Sequence, residues 1–225
     1  MGKRGPKPTA KVKINWSPNF AYAIGLIATD GNLSPDGRHI NLTSKDKEMV
    51  NNFQRILSIS YKTGRKSNGS NRRKIYYVVQ FSDMFFYKFL NSIGLFKNKS
   101  KTISRLAIPQ KYFFDFLRGC FDGDGYSYSY WDKRWKSSFM FYAGFASASR
   151  NFIDWLRKSL FKTLKIKGHI TTVGREGCYQ LKYAKFEASL LFNNMYYSKN
   201  VVCLKRKRLK IERALAIVGD RLSRG

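Results

Sequence analysis

Two short segments of this 225-residue chain repeat each other, and no other feature constrains the fold as strongly. They are Ala23-Ile-Gly-Leu-Ile-Ala-Thr-Asp30-Gly31 and Leu117-Arg-Gly-Cys-Phe-Asp-Gly-Asp124-Gly125, with their terminal Asp-Gly pairs 94 positions apart. Each closes an apolar run of helical character, Phe20 to Thr29 in one and Tyr112 to Gly123 in the other. Each ends in Asp-Gly, where glycine is the expected left-handed residue just past a helix C-terminus.

The chain downstream of each segment repeats too. After Gly31 comes a hairpin pattern, with a Pro35-Asp36-Gly37 turn and alternating His39-Ile40-Asn41-Leu42-Thr43. Ser44 is the expected start of a helix through Val50, Phe53 and Leu57; Lys74 to Phe81 alternates again; Ser82-Asp83 caps a helix through Phe86, Phe89 and Leu90. After Gly125 the order is the same. A longer aromatic hairpin spans Tyr126 to Phe145, and a helix starts near Ser149 and runs through Phe152, Leu156 and Leu160. Strands come next at Ile170 to Val173 and Tyr179 to Tyr183, then a helix from Phe186 to Tyr197.

At an offset of 102 the match becomes residue-specific: Tyr77, Val79 and Phe81 fall on Tyr179, Leu181 and Tyr183, while Val78 and Gln80 fall on Gln180 and Lys182. The same alternate positions stay apolar in both copies, so one face of each strand is core. The pattern predicts an α+β chain of two pseudo-symmetric αββαββα units, 17–95 and 111–203. Residues 1–16 form a basic arm, 96–110 a linker, and 204–225 a helix that is basic on one side and apolar on the other.

Charge narrows the partner. The chain carries 43 Lys+Arg against 14 Asp+Glu, a net charge of +29. Cut after Gln110, the two parts hold +15 and +14, so the excess is not a tail on a neutral body. Nucleic acid is the expected polyanion. No run of about 18 uncharged apolar residues is present to cross a membrane, and the basic N-terminus lacks the apolar core of a signal peptide. Cys120, Cys178 and Cys203 show no paired spacing, which excludes a disulfide framework and points to an intracellular, reducing compartment. With His39 and His169 the only histidines, zinc-finger and His-rich nuclease centres are excluded.

The two helix ends carry the candidate chemistry. Ala21, Gly25 and Thr29 in one helix, and Gly119 and Gly123 in the other, form small-residue stripes that let two axes approach closely. Parallel packing through Gly25 and Gly119 sets Asp30 beside Asp124. That placement is unfavourable alone, because helix C-termini disfavour carboxylates and the two carboxylates repel. A divalent cation resolves it, and oxygen-only ligands select Mg²⁺; metal-assisted hydrolysis of a phosphodiester is the reaction class. Asp122-Gly-Asp124-Gly is no calcium loop, since its fifth and twelfth positions are Tyr126 and Lys133.

These strings, IGLIATDGNL and FLRGCFDGDGYS, resemble the two motifs of single-chain LAGLIDADG homing endonucleases. The resemblance covers roughly Ser17 to Lys207. It implies two antiparallel sheets forming a saddle over double-stranded DNA, with the motif helices as the interface. It implies a metal centre at Asp30 and Asp124, with Thr29 and Gly123 beside them, in a monomeric enzyme that cuts both strands of a long target. Mn²⁺ would substitute for Mg²⁺, and Ca²⁺ would bind without supporting cleavage. Asp122 matches a less critical acid. The resemblance also places basic residues near the cleaved phosphates, where Lys99 matches in the first unit. In the second, Lys207 is preferred over Lys205, although strict repeat register pairs Lys97 with Lys199.

A two-stranded ribbon fits the major groove, so the strand faces not used for core are the expected DNA contacts. In the first unit these are Asn32, Ser34, Arg38, His39, Asn41, Thr43 and Gln80, with Arg72, Arg73 and Lys74 in a phosphate-contacting loop. In the second they are Tyr126, Tyr128, Gln180 and Lys182, with Lys133, Arg134 and Lys136 at the hairpin tip. Lys3 to Pro8 reads as a minor-groove arm. Two other readings share the fold: an intron RNA maturase, and a non-cleaving DNA-binding regulator.

Overall fold

A computed structural model describes residues 10–68, 71–174 and 177–222. The first unit runs α1 (Pro18–Thr29), β1 (Gly31–Leu33), β2 (His39–Ser44), α2 (Lys47–Leu57), β3 (Gly64–Asn68), β4 (Asn71–Ser82) and α3 (Met84–Ser92). The second runs α4 (Phe113–Asp124), β5 (Gly125–Trp131), β6 (Phe139–Ser147), α5 (Arg150–Leu164), β7 (His169–Val173), β8 (Cys178–Ala184) and α6 (Lys185–Met195), and α7 (Lys205–Leu222) comes last. Each unit is αββαββα. Their antiparallel sheets share one strand order, β1-β2-β4-β3 and β5-β6-β8-β7.

Side-chain hydrogen bonds set several boundaries. Ser17 Oγ accepts from the Phe20 N–H to start α1, Ser149 Oγ from the Phe152 N–H to start α5, and Asp83 Oδ1 from the Phe86 N–H to start α3. Asp83 Oδ2 also accepts from the Lys11 and Val12 N–H groups, which pins the chain entering the first unit. Ser44, expected to open a helix, is instead the last residue of β2, and α2 begins after Asp46. Ser44 pairs with Tyr77 in the ladder and its Oγ accepts from the Asp46 N–H, so the serine shapes the turn into the helix.

In both sheets one face packs on the helices. Ile40, Leu42, Val79 and Phe81 are buried in the first, and Ala143, Phe145, Leu181 and Tyr183 in the second. Leu42 pairs with Val79, and Phe145 with Leu181. One apolar core runs through both units, and Ile211, Ala214 and Val218 of α7 extend it. No described helix is long and apolar enough to cross a membrane.

β3, the third strand that the αββαββα pattern requires, has no periodic signal in Gly64-Arg-Lys-Ser-Asn68 to place it; β4 imposes it by pairing Lys66 with Tyr76. Arg72, Arg73 and Lys74, expected in a loop, belong to β4; their side chains lie outside the described residues, as does the Lys3 to Pro8 arm.

Candidate active site

α1 and α4 meet through their glycines. A Cβ on Gly25 would sit 2.2 Å from the Phe116 carbonyl oxygen, and one on Gly119 would sit 2.1 Å from that of Tyr22. At Gly123 it would meet Thr29 Oγ1 at 2.0 Å and Asp30 Oδ2 at 3.0 Å, so the Asp30 carboxylate rests on the last turn of the other motif helix. The glycines after the two aspartates do something other than what the sequence led one to expect. Gly125 is extended (φ −76°, ψ 153°) and Gly31 is a strand residue without positive φ. Both are required for space, since a Cβ would meet Ile27 Cα or Phe121 Cα at 2.6 Å. The tight turn from helix straight into strand makes each aspartate the last residue before the sheet.

Burial, and then the charge of Asp124, push the Asp30 carboxyl up to about 7. Asp124 keeps an exposed surface, yet desolvation between the helix ends raises its pKa as well. Two cations answer these acids. Lys99 is buried and its Nζ donates to the Thr29 carbonyl at 3.0 Å. Lys207 Nζ donates to the carbonyls of Phe121 (2.7 Å), Gly123 (3.0 Å) and Gly125 (2.7 Å). Burial lowers both lysine pKa values, Lys207 to about 8, against the pull of the aspartates. Each ammonium thus sits at the C-terminal end of one motif helix: Lys99 takes the Thr29 carbonyl, and Lys207 takes the Gly123 carbonyl together with that of Phe121, which also accepts from the Gly125 N–H, and that of Gly125 at the start of β5. The candidates Lys97, Lys199 and Lys205 are exposed elsewhere.

The donor set is oxygen alone: two carboxylates and the Thr29 and Gly123 carbonyls, each of which already accepts from one lysine and retains a second lone pair. Among the described residues no three His, Cys, Asp or Glu side chains converge to hold a metal. Two repelling carboxylates with raised pKa values nonetheless suit a hard divalent cation.

Three residues around the site escape a reading by repeat. Asp122 is buried; its Oδ2 accepts from Tyr22 O–H (2.8 Å) and the Leu204 N–H (2.6 Å), joining α4 to α1 and to the start of α7. Arg118 is fully buried and donates to the carbonyls of Val202 and Met195 and to Asp115. Its only signal in the sequence is the Asp115–Arg118 spacing inside an apolar helix. Arg206 pairs with Asp46 at 2.6 Å, tying α7 to α2 of the first unit.

The faces turned from the helices hold the expected DNA contacts. Asn32 lies opposite Asn41, and Asn41 opposite Gln80, forming a polar row across three strands. Thr43 and Ser34 flank it half-buried, and Arg38 is exposed. Asp36 holds both Arg38 and the His39 ring. On the second sheet Tyr126 faces Gly144, which faces Lys182, and the Tyr126 hydroxyl donates to Gln180 Oε1 at 3.3 Å. Lys133, Arg134 and Lys136 are exposed in the β5–β6 turn. Tyr130 and Tyr142 share this face and were missed, although Tyr130 continues the alternation of Tyr126 and Tyr128.

The architecture is that of a single-chain protein built from two LAGLIDADG units. Residues 17–94 match the model of the LAGLIDADG-like domain family, and the whole chain shares the two-unit fold of solved LAGLIDADG proteins. The chain is similar in structure to the LAGLIDADG meganuclease I-AabMI bound to uncleaved DNA (TM-score 0.60, 15% identity, 93% of this chain and 92% of that one). It also resembles I-DmoI in complex with DNA and Mn (0.52, 18%, 81% and 98%). A further match is the N-terminal LAGLIDADG domain of DUF199/WhiA (0.53, 16%, 88% and 88%). No curated protein matches the sequence.

Proposed function

We infer that this chain is a site-specific endonuclease that hydrolyses both strands of a long DNA target as a monomer, with a divalent metal. The observation that carries this reading is the convergence of Asp30 and Asp124 at two abutting helix ends, both with raised pKa values and both facing lysines. Partly desolvated acids that repel each other in such a position weaken the fold. Bound there by Asp30 and Asp124 beside the Thr29 and Gly123 carbonyls, Mg²⁺ or Mn²⁺ would supply Lewis-acid polarisation of a phosphoryl oxygen and activation of water.

The protein's own residues do the rest. The glycine-packed helices fix the spacing of the two carboxylates, and the sheets on either side present polar and basic side chains to the duplex. Lys99 and Lys207 hold the terminal carbonyls and place positive charge near the scissile phosphates, where it stabilises the extra negative charge of the pentavalent state. Similarity to a DNA-bound meganuclease over nine-tenths of both chains supports the substrate class.

The likeness to the DUF199/WhiA domain keeps a second reading in view, a nucleic-acid-binding protein that does not cut. Selection of cut sites from a randomised duplex pool with Mg²⁺ or Mn²⁺ separates the two. Cleavage at a unique long site, lost in Asp30→Asn and Asp124→Asn while affinity persists, is the expected result. Binding without cleavage under any divalent metal establishes the second reading.

A further inference from the structure

The two sheets have kept one backbone and exchanged one kind of surface for another. Where the first unit presents Asn32 and Ser34, the second, 94 positions on, presents Tyr126 and Tyr128. Tyr130 extends the row and Tyr142, opposite Tyr128, joins it from β6. The Tyr126 and Tyr128 rings stack with centroids 6.3 Å apart at 13°, and Tyr128 and Tyr130 at 6.4 Å and 3°. Tyr142 packs 5.0 Å from Tyr128 and 6.3 Å from Tyr130, and Lys182 Nζ stands 5.3 Å from its ring centre. Tyr126 lies across Gly144, where a Cβ would come within 2.7 Å of its hydroxyl. The ladder is therefore packed before any ligand arrives, and tyrosines lose little freedom when they bind.

The near-parallel rings turn their faces toward one another along the row, which favours contact through their edges over base stacking. The outward surface is a row of ring edges, with Tyr128 and Tyr130 at 36% and 47% exposure. Lys133, Arg134 and Lys136 at the tip of the same hairpin match this surface to a polyanion. Ring spacings of 6.3–6.4 Å lie near two base-pair steps of about 3.4 Å each, so successive rungs meet alternate base pairs of a duplex lying along the strand. In the major groove the apolar feature available to an aromatic ring is the thymine 5-methyl group, whereas amides such as Asn32, Asn41 and Gln80 suit the paired donor and acceptor of adenine.

We propose that the tyrosine ladder of Tyr126, Tyr128, Tyr130 and Tyr142 reads the second half of the DNA target through thymine methyl groups, while the first half is read by amide hydrogen bonds. The proposal rests on the DNA-binding part of the function inferred above and is independent of cleavage.

The test is binding selection with the wild-type protein in EDTA against a randomised duplex pool, then replacement of thymine with deoxyuridine, which lacks the methyl. Thymines are expected to be enriched in one half. Uracil there should weaken binding about fourfold per contacted thymine, the equivalent of one buried methylene, and change it less than twofold in the other half. Tyr128→Phe and Tyr130→Phe should keep that sensitivity, and Tyr128→Ala and Tyr130→Ala should abolish it at a temperature where both are folded by circular dichroism. Tight duplex binding indifferent to uracil overturns the proposal and leaves the nuclease reading standing. So does a Phe variant that loses as much as its Ala counterpart, since the hydroxyl would then be the reading group. Enrichment of no duplex, or full competition by single-stranded RNA, overturns both.

Discussion

Replacing Asp30 with asparagine should abolish cleavage and at the same time make the metal-free protein more stable at neutral pH. Burial and Asp124 raise the Asp30 carboxyl from 3.8 to about 7. The folded state therefore holds a proton that the unfolded state has released between those values, and stability falls as pH rises through this window. Three pKa units correspond to about 4 kcal/mol. Part of that is not recovered, because an amide is still a buried polar group and Asp30 also favours the charged forms of Lys99 and Lys207. About half, roughly 2 kcal/mol, remains, which for a chain of this size raises Tm by about 4–8 °C. Thermal melts of both proteins from pH 3 to 8.5 with chelator measure it: the curves should converge near pH 3, below the carboxyl's ordinary value of 3.8, and separate as pH rises toward 7. A divalent metal at ten times its Kd should then add about 1.4 kcal/mol to the wild type and nothing to the variant. Equal pH profiles, or an Asp30→Asn protein less stable at pH 7.5, would show that no electrostatic strain is stored between the helix ends.

Three further outcomes bear on the same architecture. Gly119→Ala should cost about 3 kcal/mol in urea unfolding or prevent folding, because its Cβ meets backbone 2.1 Å away; Gly37→Ala, with φ +75° and open space around it, should cost only about 1–2 kcal/mol. Lys207→Met removes the ammonium that donates to the Phe121, Gly123 and Gly125 carbonyls and should lose about 2 kcal/mol, while Lys205→Met changes stability by under about 0.5 kcal/mol. An unchanged urea midpoint with lost cleavage would show that Lys207 acts on phosphate rather than as a cap. Affinity for the selected duplex should fall with salt at a slope of about −0.9 per phosphate neutralised, summing to −5 or steeper; a slope worth one or two contacts would mean that the +29 charge serves another partner.

Elements written in short-range pattern were legible, and those made by distant partners were not. The motif helices, the two hairpins and the alternate burial of Val79, Phe81, Leu181 and Tyr183 are set by local periodicity read twice. β3 is a strand only because β4 pairs with it, and Ser44 looked like a helix cap because serine satisfies the same donors in a turn. Asp30 and Asp124 could be placed together because the glycine stripes predict close packing. The two ammoniums were named only through the family resemblance and by no local pattern, since Lys99 and Lys207 reach the helix ends from 70 and more positions away in chain order.

Those lysines change what the two acids do. Carboxylates at adjoining helix C-termini would face two sets of unpaired carbonyls as well as each other. Lys99 and Lys207 offset that field through hydrogen bonds to backbone oxygens. The lysines do not remove the strain, because the Asp30 pKa remains near 7. α7 supplies Lys207, and its first turn also carries Arg206, paired with Asp46 of the first unit, beside Leu204, whose N–H is bound by Asp122. One short stretch, Leu204 to Lys207, therefore fixes the end of α4 against both units. The repeat creates the pair of acids, and an element outside the repeat determines how far their charge is relieved.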